Sequence, residues 1–368
     1  MKFTITRDNL QQGLAAVGAS IPTRTTLPVL SNILIEAGDE GVQMSGTDLD
    51  IAVTLRVPAE VEEPGAITVP AKKLQELARE LPEAPARITT TGERLELVCG
   101  KATFRLNGMP RDEFPTFPQV DFESSWTIGG ERISEMIERT SFAVSTEESR
   151  PILNGVLWQL AEGEMRMVAT NGHRLAKLTV PAASGSAPHA DLIVPPKAVA
   201  QVQRLFDEAD AIQVARRETH LGFRKNGPRV YTRLIEGPYP NYEQVIPKDN
   251  DRIALADKET LTRSLRRMAV VASDQTHRVR LAFAGAVLRL SVETPDLGDA
   301  HEEMEVSYDG EALDIGFNAN YLLEVLRYMP SDEVKLSFKA PERAATVEPT
   351  EQEDGDYLCL IMPLRLMV

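Results

Sequence analysis

RPILNGVLWQLAEGEMRMVATNGHRLAKLTVP, residues 150–181, decides how the rest of the chain is read. Apolar runs at 152–160 and 165–169 flank the polar turn Ala161-Glu162-Gly163-Glu164, and Asn171-Gly172 leads into a third run at 175–180. Apolar runs broken by turns of this composition form an antiparallel meander of three strands. The same unit stands earlier as LPVLSNILIEAGDEGVQMSGTDLDIAVTLRVP, residues 27–58. Pro28 and Pro151, Thr47 and Thr170, and Pro58 and Pro181 are all separated by 123 positions. One offset held over three landmarks marks an internal repeat.

That offset is a third of the 368-residue chain, so a third copy is expected. The first copy opens with a strand at 2–6 and an amphipathic helix from Arg7, with Leu10, Leu14 and Val17 inward. The second opens at 126–128 with a helix carrying Ile133, Met136 and Ile137. The third opens at 252–255 with a helix from Asp257 carrying Leu261, Leu265 and Met268. After each meander come a strand and a second helix, as in Ile67-Thr-Val-Pro-Ala-Lys-Lys-Leu and Leu192-Ile-Val-Pro-Pro-Lys-Ala-Val, with proline suited to the first helical turn. Closing strands follow, as at 86–91, 95–98 and 102–106. Phe114-Pro115-Thr116-Phe117 with Val120 matches Tyr239-Pro240-Asn241-Tyr242 with Val245. Proline keeps such junctions extended and the aromatics pin them to a domain surface. The boundaries therefore give domains at 1–122, 123–248 and 249–368. The expected fold is α+β, with two helices packed on antiparallel sheets in each domain, six helices and six small sheets in all. The chain ends in the apolar run YLCLIMPLRLMV, residues 357–368, read as a sheet strand at 357–361 with an exposed remainder.

A 42% hydrophobic and 26% charged composition suits a soluble globular protein, with no run of membrane-spanning length and no apolar leader in MKFTITRDNL. Two cysteines, Cys99 and Cys359, give no disulfide framework and fit a reducing cytoplasm. A net charge of −15 opposes simple electrostatic adhesion to nucleic acid or membrane. No catalytic constellation stands out. The phosphate-binding glycine loop, GxSxG, HExxH and CxxC are all absent, and the five histidines show no metal-ligand spacing, so no cofactor or metal is expected. Asp48 and Asp50 could be drawn as a carboxylate pair, but their repeat partner is Asn171-Gly172-His173, which makes a turn the better reading. The basic residues recur on the helices: Lys72, Lys73 and Arg79; Arg132 and Arg139; Lys197 and Arg204; Arg263, Arg266 and Arg267. Acids gather elsewhere, at 60–63, 296–305 and 348–356.

Several stretches together resemble one family along the whole chain: Met1-Lys-Phe-Thr, Arg24 ahead of Leu27-Pro-Val-Leu, Gly46-Thr-Asp-Leu, Thr68-Val-Pro-Ala-Lys-Lys, Leu153-Asn-Gly, Ala169-Thr-Asn-Gly-His-Arg-Leu-Ala, Tyr239-Pro-Asn-Tyr, Gly316-Phe-Asn and Met362-Pro-Leu-Arg-Leu. In order and with three repeats, they are similar to the bacterial DNA polymerase III beta subunit, the DNA sliding clamp. The resemblance implies a head-to-tail homodimeric ring around double-stranded DNA, with helices lining the hole and sheets outside. It implies no catalysis. The ring would tether the polymerase III alpha subunit to its template, be opened by a clamp loader, and dock other polymerases and repair proteins through short linear motifs.

The resemblance also implies roles for residues. DNA would be met by Arg24, Lys72, Lys73, Arg79, Arg150, Lys197, Arg204, Arg263, Arg266 and Arg267. Partner peptides, a glutamine followed by a leucine- and phenylalanine-rich tail, would dock among Leu153, Thr170, Gly172, His173, Arg174, Leu175, Pro240, Val245, Tyr321, Val347, Leu360, Met362, Pro363 and Leu364. The subunit interface would set Lys72, Arg94, Lys101, Phe104 and Leu106 against Val270, Val271, Asp296, Asp299, Glu302 and Glu303. Gln244, Thr276, Glu147, Pro151 and Ile152 depart from the family pattern. A basic lining inside an acidic particle reconciles the net charge with DNA, because a sliding protein must not grip phosphate in fixed register. Two other readings compete: a metal-dependent nuclease built on Asp48, Asp50 and His173, and a scaffold that binds proteins without encircling DNA.

Overall fold

The computed structural model describes residues 1–117, 120–182, 189–207, 211–225, 227–352 and 355–366, so the last two residues of the terminal run lie outside it. The helices among these are α1 (Arg7–Gly18), α2 (Ala71–Glu80), α3 (Gly130–Thr140), α4 (Pro196–Phe206), α5 (Lys258–Val271) and α6 (Ala319–Arg327). No helix among the described residues is long and apolar enough to cross a membrane. Helix α1 begins where the Thr6 hydroxyl accepts the Asn9 N–H, and it buries Leu10, Leu14 and Val17. Helix α5 repeats this design, with Asp257 accepting the Thr260 N–H at 2.8 Å and Leu261, Leu265 and Met268 buried. Each cap satisfies an amide that the first turn leaves unpaired, and the spacing gathers the apolar residues in one stripe.

The meanders form as the spacing predicts, with one shift. In the second copy the strands are Val156–Ala161, Glu164–Thr170 and Arg174–Pro181. The first run does not begin at 152, because Pro151–Asn154 is a 3-10 turn; Pro28–Ser31 repeats that turn in the first copy. Proline has no amide for a ladder but has the φ of a first helical turn, so the strand waits for the next residues.

The sheets depart from expectation in number. Among the described residues the six small sheets become four, of five, eight, nine and four strands. The last meander strand of the first copy, Ile51–Val57, pairs with Arg229–Arg233, the last strand of the second copy. Likewise Arg174–Pro181 of the second copy pairs with Asp356–Ile361, the last strand of the third. Both junctions are antiparallel, and both merge two small sheets into one because an unpaired edge finds a partner. The contacts accordingly divide the chain into two compact units. One holds Met1–Ser134 and Lys197–Leu234, and the other holds most of 135–196 and Ile235 onward. Each merged sheet lies wholly within one unit. In the second unit the core on one sheet face gathers Leu157, Val168, Leu175, Ile193, Tyr242 and Leu360. In the first, Ala52, Val120, Phe122, Ala215 and Tyr231 form the matching cluster, with Phe117 stacked on Tyr231 at 6.0 Å.

Ala102–Asn107, last strand of the first copy, and Gly298–Glu305, last meander strand of the third, are each the outer strand of a sheet among the described residues.

Candidate functional site

The polar cluster at 170–174 is a tight turn whose hydrogen bonds are supplied by its own side chains. The Thr170 hydroxyl donates to the Arg174 carbonyl at 2.7 Å and accepts from the Gly172 amide at 3.1 Å, while Asn171 Oδ1 accepts from the amides of His173 and Arg174. The first copy repeats the network. Thr47 donates to the Ile51 carbonyl and accepts from Leu49, and Asp48 Oδ1 accepts from Asp50 and Ile51. Even the backbone repeats: Gly172 has φ +86° and Leu49 has φ +84°. Asp48 is therefore a turn residue, and its other oxygen meets Lys197. This occupies one of the two carboxylates on which the nuclease reading rests.

Beside this turn the chain's end crosses between two sheets of the second unit. The Met362 amide donates to the His173 carbonyl at 2.8 Å, the Leu364 amide donates to the Gly316 carbonyl at 2.7 Å, and Arg278 donates to the Arg365 carbonyl. A Cβ on residue 316 would lie 2.7 Å from the Leu364 carbonyl oxygen, so the strap needs a glycine beneath it. Met362 stays exposed, while Pro363 and Leu364 are half-buried. Helix α6 starts next to Gly316, capped by Asn318, and its first turn sets Tyr321 in a stack with His173 at 6.2 Å.

The junction segment lies on one face of the nine-stranded sheet. Tyr242 is buried there, and Tyr239 and Ile246 pack on the cluster of Leu175 and Leu360, leaving Val245 54% exposed and Pro240 in solvent. Tyr242 donates to Gln159 at 2.6 Å and accepts from Arg166 at 2.9 Å. Burial pushes the phenols of both Tyr239 and Tyr242 above their usual range. Leu153 is buried in the 3-10 turn that ends beside the meander.

Register and burial set two of the expected docking residues apart from the rest. Leu360 pairs with Leu175 on one side and Thr346 on the other, so these three share a face with the junction segment. Val347 pairs with Cys359, one residue out of phase, and is fully buried on the opposite face. Successive side chains alternate faces, so Thr346 and not Val347 shares the face of Leu175 and Leu360. Arg174 also faces the other way. It is 6% exposed, pairs with Glu324, donates from Nη2 to the Phe142 carbonyl at 2.7 Å, and lies between the rings of Phe142 and Tyr321 at 5.4 and 4.7 Å. It holds the turn from beneath instead of offering surface. Arg174→Met should cost about 2 kcal/mol through the lost charge-assisted bonds, read as a lower urea midpoint. An unchanged midpoint would show the guanidinium to be dispensable. An open cleft of about 480 Å³ on the four-stranded sheet, walled by Arg278, Arg280, His301 and Leu366, contains none of the expected docking residues.

The cations are all exposed, but many already have partners. Lys73 pairs with Glu76, Arg150 with Glu147, Lys197 with Asp48, Arg263 with Glu259 and Arg267 with Glu302. Arg204 donates to the Ala15 and Ala16 carbonyls at the end of α1. Arg24, Lys72, Arg79 and Arg266 form no ion pair among the described residues.

On the outer strand Ala102–Asn107, Phe104 and Leu106 are half-buried against Leu97 and Leu95. Helix α5 ends with Val270 79% exposed beside half-buried Val271, and Leu297, absent from the sequence-based set, is 64% exposed. Lys72, Arg94, Lys101, Asp296 and Asp299 are exposed without ion pairs among the described residues. Glu302 and Glu303, however, are answered within the chain by Arg267 and Arg289.

Comparison with known proteins places this architecture. Family models for the DNA polymerase III beta subunit match in order: the N-terminal domain over residues 1–118, the central domain over 127–241 and the C-terminal domain over 243–365. The beta sliding clamps of Pseudomonas aeruginosa and Escherichia coli are each 32% identical, over the full length of both chains. Among solved structures, the sliding clamp of Bartonella birtlesii bound to griselimycin superposes with a TM-score of 0.95 at 31% identity, and that of Bacillus subtilis with 0.95 at 29%, both covering all of either chain. With its three domain matches in sequence order and its full-length relatives, the chain belongs to the DNA polymerase III beta-subunit family, the bacterial beta sliding clamps.

Proposed function

We propose that the chain works as a homodimer closed head to tail around duplex DNA, holding the replicative polymerase on its template without chemistry of its own. Its domains are 1–122, 123–248 and 249–368. The observation that carries this reading is the strand exchange between copies. The last meander strand of copy one meets the last strand of copy two, and copy two meets copy three in the same way. The two strands that would make the third such exchange, the last of copy one and the last meander strand of copy three, are both outer strands of their sheets. A surface whose two ends complement each other makes a heterologous contact, which forms a closed ring when the rotation closes.

The docking face fits an extended apolar peptide. Leu175, Leu360 and Thr346 lie under the junction, Met362 and Val245 are exposed at its rim, and Gly172 permits close backbone approach. The polymerase alpha subunit, the loader, other polymerases and repair proteins would share this site through short linear motifs. Retention then depends on topology. Loaded protein should stay on nicked circular DNA through gel filtration and run off the same DNA after linearisation. Equal loss from both forms would end the encircling reading.

A further inference from the structure

We propose that Asp48, Glu76, Glu147, Glu259 and Glu302 are built-in counter-ions that keep this chain's grip on duplex DNA weak by occupying the cations that would otherwise hold phosphate. The inference rests on the assignment of those cations to the DNA-facing surface. Lys73 Nζ lies 2.9 Å from Glu76, Arg150 Nε 3.5 Å from Glu147, and Arg267 Nε 2.8 Å from Glu302; Lys197 meets Asp48 and Arg263 meets Glu259. The pairing recurs in both units and on α2, α4 and α5. Pairs three or four residues apart are common helix ornaments. The Lys197 and Arg267 pairs are different, because their acids stand 149 and 35 residues away. Asp48 reaches Lys197 from a turn that its own Oδ1 has fixed, and Glu302 also accepts from Ser264 at 2.8 Å. These carboxylates are held in place by independent bonds. Lys73 keeps the Glu76 carboxyl below its usual range, and Arg267 does the same for Glu302.

A cation in contact with a carboxylate gains little by exchanging it for a phosphate, since one oxyanion replaces another. Each such contact then adds little to the depth of a DNA register and releases few counter-ions. The barrier between neighbouring registers stays low. The cations without an ion pair, Arg24, Lys72, Arg79 and Arg266, supply the remaining attraction.

The test uses the full-length protein with D48N, E76Q, E147Q and E259Q combined, omitting Glu302 because it borders the subunit interface. Binding to a short linear duplex is followed by fluorescence anisotropy across a KCl series. Freeing four cations should steepen the slope of log K against log salt by about 3 to 4 and raise low-salt affinity about tenfold or more. D48N alone, which keeps the turn's Oδ1 acceptor, should steepen it by about 1. A control with E60Q, E63Q, E83Q and E93Q changes net charge equally at exposed acids that form no ion pair among the described residues. An equal effect in the control, or no change in the fourfold variant, overturns the proposal. Loss of binding in R24A/R266A beside an unmoved fourfold variant would refute the counter-ions while sparing the DNA surface. No loss in R24A/R266A would refute the surface and the proposal together.

Discussion

Aspartate in place of both Leu106 and Val271 should leave the chain monomeric. The physical reason lies in the two internal strand exchanges. At each, the start of a meander's third strand meets the end of a partner's last strand: Ile51 pairs with Thr232, and Arg174 with Ile361. The same geometry in a third exchange sets the start of Gly298–Glu305 against the end of Ala102–Asn107 of another subunit. Phe104 and Leu106, half-covered by Leu97 and Leu95, would gain their missing neighbours there. So would Val270 and Leu297, the most exposed large apolar side chains among the described residues. A long unpaired edge beside exposed apolar side chains calls for a partner. The charge complement is carried by Lys72, Arg94 and Lys101 against Asp296 and Asp299, since Glu302 and Glu303 already have internal arginines. It should weaken only modestly with salt. Two carboxylates placed in the apolar centre cost several kcal/mol each, so a loss of about 4 kcal/mol or more, a thousandfold in dissociation constant, is expected. Light scattering on the double variant reads this directly. A mass still equal to two chains would refute the seam.

The same seams show which parts of the fold are legible in sequence. The apolar stripes of α1 and α5 and the turn at Asn171 depend on near neighbours in the chain, and the offset of 123 between copies on the recurrence of such local patterns, so spacing reveals them. The merging of six sheets into four does not, because Ile51–Val57 and Arg229–Arg233 are paired only in space. A shift of one residue exchanges the two faces of a strand, so only the register shows that Thr346, and not Val347, shares a face with Leu360. Arg174 reads as a surface arginine until Glu324, 150 residues away, is brought to it. The helix cations are visible as a pattern, yet their partners at Asp48 and Glu302 are again distant in sequence. Gly316 shows the reverse case. Its motif was legible from the resemblance, while its reason, the close passage of the Leu364 carbonyl, requires the fold.

Removing residues 362–368 should abolish peptide docking and leave the dimer intact. The strap these residues form is fixed at the Met362 amide by His173, at the Leu364 amide by Gly316 and at the Arg365 carbonyl by Arg278. Without it the rim beside the turn loses Met362, the exposed adaptable side chain of the proposed docking face, along with Pro363 and Leu364. Burial of one such side chain against a ligand contributes about 1.5–3 kcal/mol, so the truncated chain should bind a glutamine-led, leucine- and phenylalanine-rich peptide at least a hundredfold more weakly. The dimer should persist for a topological reason. In the four-stranded sheet the strap borders Leu313–Asn318 at one edge, whereas Gly298–Glu305, the strand open to a partner, is the other edge. Two strands separate them, and neither Ala102–Asn107 nor the end of α5 is bonded to the strap among the described residues. Met362→Ser provides a milder version, expected to weaken the peptide about tenfold while keeping the backbone pins. Fluorescence anisotropy with a labelled peptide, run beside a mass measurement, separates the two surfaces. Full peptide affinity in the truncated chain would place docking elsewhere, and a monomeric truncation would show that the strap and the subunit seam are coupled.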